Sequence, residues 1–274
     1  MPHPVRPAPA PPRRRPRLRV AAATGAFLIL AALLGAWLWT DARAAADATT
    51  VLPAARAEGI LRRTEVAFAD AEAVWDRAVR ATRPRAYGAA DIVFFSRRTT
   101  STCAEAPVSG PFYCPDTGVA AFDLMFLDTL GERLNRQRDL GLALYAARLS
   151  AQHLQREIGL LDRAAVELVG ARRGRRAEIA TALALQADCL TGVWAAAAEP
   201  RLGPVPDGFW NQLVWSARNI ATDLGREGID IPAEFDDFAA GSRADRDAAF
   251  AEGYAATRID DCRFALDAGA SGRP

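Results

Sequence analysis

The chain has 274 residues, half of them apolar, and a net charge of +1, which suits one sizeable packed domain with appendages and excludes a wholly disordered chain. Its 34 basic residues are all arginine, a pattern of residue usage rather than a ligand signature, so no nucleic-acid partner is inferred. Six of those arginines fall in residues 1–19 without an acid, so the bulk of the chain is mildly acidic.

Residues 1–19 are rich in Pro and Arg and cannot pack a core, so they read as a disordered basic tail. Val20 to Trp39 then runs 20 residues without a charge, about 30 Å of helix, enough for one bilayer crossing. The arginines before the span and Trp37 and Trp39 at its far end set the expected orientation, with residues 20–40 as a transmembrane helix, the tail cytoplasmic and the rest outside. A cleaved signal peptide is the alternative, since D-A-R-A-A-A-D-A offers small-residue cleavage sites.

Residues 41–60 read as an Ala-rich linker with Pro53 and Gly59. A helix is expected over 64–82, with Val66, Ala69, Ala73 and Trp75 to Val79 as its apolar stripe. Residues 91–96 and 118–123 read as buried strands. Between them Cys103 and Cys114 enclose a Pro-, Gly- and Ser-containing loop unsuited to helix or strand. Four cysteines permit three pairings; closing that loop locally is the simplest and leaves Cys189 with Cys262. A four-thiolate zinc site is disfavoured because no C-x-x-C spacing occurs.

Asp139 is the expected N-cap of a long core helix in which Leu140, Leu144, Ala147, Ala151, Leu154 and Ile158 recur at spacings of three and four, ending at Gly159, and a second long helix is expected over 175–198, stopped by Pro200. Pro204 and Pro206 precede a helix bearing Trp210 and Trp215, and Ser242 with Asp245 forms a capping box for a last helix. The expected fold class is α+β, mostly helical with a small β-sheet. The domain is placed at 61–264, with a flexible tail at 265–274.

Several segments resemble, in order and spacing, the neutral zinc metallopeptidase family of bacterial envelope proteins. They are V-F-F-S-R-R-T-T-S-T-C (93–103), G-P-F-Y-C-P (110–115), F-D-L-M-F-L-D-T-L (122–130), L-Q-A-D-C-L-T-G-V-W-A (185–195) and G-S-R-A-D-R-D-A-A-F-A-E-G-Y (241–254) with D-C at 261–262. The resemblance implies a zincin-like fold whose core helix carries H-E-x-x-H: two His four apart on one face hold zinc while the Glu polarises its water. It also implies a third ligand, a Glu four residues before the Asp of L-Q-A-D. In this chain those positions are Arg148, Leu149, Gln152 and Ala184. The sequence holds two histidines, His3 and His153, and His3 lies in the tail. No zinc cofactor is therefore expected, although the family implies one.

The resemblance places Asp188 where such a fold orients a metal-ligating His, so an Arg148–Asp188 ion pair is expected in place of the metal; the alternative is an Arg148 that snorkels to solvent. His153 is expected to be structural, donating to a carbonyl, although with Glu157 it is spaced for weak metal binding and with Ser150 for a nucleophile–base pair. The expected function is a membrane-anchored, non-catalytic binding or regulatory protein of the envelope that holds a peptide or protein partner. The alternative is a hydrolase with a divergent or intersubunit site.

Overall fold

A computed structural model describes residues 52–82, 86–227, 240–256 and 258–263. The expected basic tail, membrane span, most of the linker and the C-terminal tail lie outside the described residues.

Helix α1 (Ala54–Thr82) begins ten residues before the expected start, inside the segment read as linker. Pro53 sits at its mouth with its carbonyl accepting from the Arg56 and Ala57 amides, so this proline is a start signal rather than a linker mark. The buried stripe is Ile60, Ala67, Phe68, Ala71, Val74, Trp75 and Val79. Val66, expected in that stripe, is 65% exposed, because it falls on the face opposite Trp75's neighbours.

Strands β1 (Asp91–Phe95), β2 (Phe112–Cys114) and β3 (Val119–Asp123) form a sheet of order β1–β3–β2. β3 is central, parallel to β1 with Val93 opposite Ala121 and antiparallel to β2 with Tyr113 opposite Ala120. β2 corrects the expected irregular loop: three residues are too few for a periodicity signal, and pairing with β3 makes them a strand. The Cys103–Cys114 disulfide ties the loop to that edge, and Cys189–Cys262 is the second bond, both as the simplest pairing requires. Two disulfides suggest an extracytoplasmic location, where thiols are not kept reduced.

Helix α2 (Leu124–Leu134) follows β3 directly and was not anticipated from periodicity. Its N-cap Asp123 accepts from the amides of Met125 at 3.0 Å, Arg97 at 2.9 Å and Gly110 at 3.0 Å, so one carboxylate caps the helix and pins the disulfide loop. A 3₁₀ turn at Asn135–Gln137 leads into α3 (Arg138–Glu157), whose N-cap is Gln137. Asp139, expected as that cap, lies in the first turn and pairs with Arg63 at 2.9 Å. Residues 141 through 155 of α3 are all buried, so it is an all-round core helix rather than an amphipathic one.

Gly159, with φ of 75°, ends α3 and starts α4 (Leu160–Leu168). α5 (Arg173–Leu202) runs two residues beyond Pro200. The proline does not stop it because it sits in the last turn and removes a single amide there. By length and apolarity α5 is able to cross a membrane, yet 72% of its most apolar window is buried among its neighbours, which makes it the second core helix.

α6 (Phe209–Arg226) starts after Gly208, later than the prolines suggest, and α7 (Arg243–Ala256) opens with the expected capping box, Ser242 Oγ accepting from the Asp245 amide at 3.1 Å. Trp210 stacks on Phe250 with centroids 4.8 Å apart, locking α6 to α7. The class is α+β, mostly helical around a three-stranded sheet.

Candidate functional site

Helices α3 and α5 cross at the centre of the fold and carry the positions where a metal site is implied. Arg148 is fully buried, as are Leu149 and Ala184 at 1% exposure, and Gln152 is 8% exposed. Arg148 Nε donates to Asp188 Oδ1 at 3.1 Å, with the two side chains 1% and 0% exposed. The expected ion pair forms, and the snorkelling alternative is overturned.

The pair is part of a larger cluster. Arg246 of α7 donates to both oxygens of Asp188, through Nε to Oδ2 and through Nη2 to Oδ1 at 2.7 Å, while its Nη1 donates to the Ala240 carbonyl at 3.2 Å. One carboxylate thus ties α3, α5 and α7, as a metal does with three ligands. Sequence reasoning missed Arg246, which sits one residue beyond a recognised capping Asp and 58 residues from its partner. Nearby, burial and the positive charge of Arg246 lower the Arg218 pKa from its ordinary value.

His153 is held at both ring nitrogens. Nε2 lies 2.6 Å from the Gly88 carbonyl and Nδ1 lies 2.8 Å from the Tyr113 hydroxyl. A carbonyl only accepts, so Nε2 carries a proton and donates to it, and Nδ1 pairs with the Tyr113 hydroxyl. Both nitrogens are committed to structural bonds. The i,i+4 metal pair does not form either: Glu157 accepts from the Gly88 amide at 3.1 Å.

Ser150 is bonded away from His153. Its hydroxyl accepts from Trp75 Nε1 at 2.8 Å and donates to Glu72 Oε1 at 2.5 Å, so the nucleophile–base reading fails on geometry. Glu72, which no motif or spacing singles out, also accepts from the Tyr87 hydroxyl at 3.0 Å and the Ala90 amide at 2.9 Å. Burial raises its pKa above the ordinary 4.5, with the Ser150, Ala90 and Tyr87 hydrogen bonds and the His153 charge pulling the other way.

A raised carboxyl pKa means that the native state holds the proton more tightly than the unfolded chain does. This group's contribution to stability is therefore greatest below about pH 4.5 and is lost as pH rises through the folded value. Denaturant titrations from pH 4 to 8 are expected to show wild type losing stability relative to Glu72→Gln over that window. A constant difference across the range counts against the protonation argument.

Zinc does not fit these residues. A structural or catalytic zinc site takes several N, S or O donors in tetrahedral array, and the implied positions supply a guanidinium, an isobutyl group, a carboxamide and a methyl. All four cysteines are in disulfides. Among the described residues no three His, Cys, Asp or Glu side chains gather where they could hold a metal ion.

Beside Gln152 lies an open groove of about 310 Å³ between α3, α4 and α5, walled by Leu161, Leu168, Ile179 and Leu183 and bounded by Tyr113 and Arg176. Gln155 next to it is fully engaged at its amide nitrogen, donating to the Leu183 carbonyl at 2.9 Å and to Gln186 Oε1 at 3.0 Å. Gln186 in turn donates to the Cys262 carbonyl at 3.0 Å, connecting the groove wall to the second disulfide.

The profile of the family described as Putative neutral zinc metallopeptidase matches residues 24–264. The chain belongs to this family. Among its relatives, this neutral zinc metallopeptidase family member is 24% identical over 192 residues to the uncharacterized protein YpfJ of Escherichia coli K12, covering 70% of the present chain and 66% of that protein. It is 30% identical over 172 residues to the uncharacterized protein Rv2575 of Mycobacterium tuberculosis H37Rv, covering 58% and 57% respectively. The matches thus span less than two thirds of these relatives' lengths. No solved structure matches this family member.

Proposed function

We propose that this neutral zinc metallopeptidase family member is a non-catalytic binding or regulatory protein of the bacterial cell envelope, with a zincin-like domain that begins at α1, keeps a cleft and has replaced its metal centre by an ion cluster. Residues 20–40 anchor it as a single span, the basic tail inside and the domain outside. The observation that carries the reading is the Arg148–Asp188–Arg246 cluster: a buried guanidinium stands at a ligand position and repels a dication, and the carboxylate beside it is already bonded to two cations. The hydrolase alternative calls for solvent-open carboxylates near His153, whereas Asp188 is 0% exposed and Glu157 accepts the Gly88 amide.

The test is the zinc content of the purified full-length chain by elemental mass spectrometry after dialysis, beside an H-E-x-x-H relative, with casein hydrolysis assayed in parallel. Well under one zinc per chain and no cleavage are expected. One zinc per chain together with metal-dependent cleavage overturns the reading.

A further inference from the structure

The groove beside Gln152 carries a chemical specification beyond its mere presence. Gln152 is 8% exposed, lines the groove, and its carboxamide makes no hydrogen bond among the described residues. It is the exception in its surroundings, where Gln155, Gln186, His153, Ser150 and Glu72 are all bonded. A largely buried carboxamide with unused donors and acceptor is a site waiting for a complementary group. An extended residue is that complement, because its own N–H and C=O point the same way and match the acceptor and donor of a primary amide. A hydrocarbon chain satisfies neither.

The walls add the second requirement. Leu161, Leu168 and Leu183 present aliphatic surface on the two helices flanking the groove, with Ile179 buried behind them, and about 310 Å³ is at the small end of the usual range for ligand sites. That is room for one large apolar side chain rather than a folded partner. At the rim stands Arg176, whose Nε donates to the Ala171 carbonyl at 3.0 Å and which has no carboxylate partner among the described residues. Its neighbour Arg175, by contrast, is paired with Glu167 and Glu178. Arg172 and Arg173 extend the positive charge along the same stretch of chain, so an acidic group on the occupant is electrostatically matched.

We propose that the groove holds an extended peptide segment, the N–H and C=O of one residue paired with the Gln152 carboxamide, a large apolar side chain seated between α4 and α5, and an acidic side chain turned to Arg176. This rests on the non-catalytic binding reading and specifies its ligand class.

The experiment is fluorescence anisotropy of the full-length chain in detergent with fluorescein-labelled Ala-Ala-Leu-Glu-Ala, the Ala-Ala-Leu-Lys-Ala counterpart, and decanoate as competitor. The acidic peptide is expected to bind saturably and the lysine peptide about tenfold more weakly. Arg176→Glu is expected to reverse that order, and Gln152→Leu to weaken both peptides about tenfold. Ala165→Trp, at an exposed position on the groove wall, is expected to abolish binding without disturbing the fold, and melting curves of each variant check this. No saturable binding of either peptide overturns the proposal, as does equal binding by Gln152→Leu with full displacement by decanoate, which marks an acyl-chain site. Absent peptide binding with negligible zinc overturns this proposal and leaves the non-catalytic reading standing. Cleavage of the bound peptide with one zinc per chain overturns the reading beneath it.

Discussion

Asp188→Ala is expected to lower the unfolding free energy by about 3–5 kcal/mol, because it removes the carboxylate between two guanidiniums that are each about 1% exposed. For a domain of this size that corresponds to a fall in Tm on the order of 10 °C. Arg148→Met is expected to cost less, within about 2 kcal/mol, since it removes a charge while filling the volume and leaves Asp188 bonded twice to Arg246. The ordering matters as much as the size. If Asp188→Ala melts with wild type while the domain's secondary structure is intact, the cluster is not the replacement for a metal centre that its position suggests.

Gly253→Ala is expected to be comparably severe, about 3 kcal/mol or more, by overpacking backbone against backbone. A β-carbon on Gly253 meets the Cys189 carbonyl oxygen at 1.8 Å, and one on Gly192 meets the Phe250 carbonyl oxygen at 2.2 Å. Neither clash involves a flexible side chain that can swing aside, so α5 and α7 have to part. Parting them strains the Cys189–Cys262 bond and pulls Arg246 from Asp188, which lie on the same crossing. Gly225→Ala on α6 is the control: nothing lies within 4 Å of its added carbon, and alanine there is expected to be neutral or to stabilise by up to about 1 kcal/mol. Equal melting temperatures for the two variants refute the close crossing.

Both effects converge on one junction. Three helices are linked by one carboxylate between two guanidiniums, and α5 and α7 also by a crossing tight enough to demand glycine on each, with the Cys189–Cys262 disulfide beside it. The remaining polar groups around α3 are spent on structure: His153 fixes Gly88 and Tyr113, and Ser150 joins Trp75 to Glu72. Gln152 alone among these neighbours is left facing an open groove.

The sequence by itself determined the features that depend on local order and on counting. The spacing of Leu144, Ala147, Ala151 and Leu154 placed a core helix, Ser242 and Asp245 placed a helix start, and a single histidine beyond the N-terminal tail was too few to build the implied two-histidine site. The Arg148–Asp188 pair was also legible, because a resemblance fixed both positions and a buried acid needs a cation. Tertiary structure alone decided that Arg246 bonds both oxygens of Asp188, that Glu72 is a buried carboxylate shared by Ser150 and Tyr87, that Phe112–Cys114 is a strand, and that Gln152 faces an open groove. The difference is physical. Helical periodicity, caps and donor counts act within a few residues along the chain, whereas these contacts join groups brought together when helices pack, and no one-dimensional pattern records the angle at which they cross.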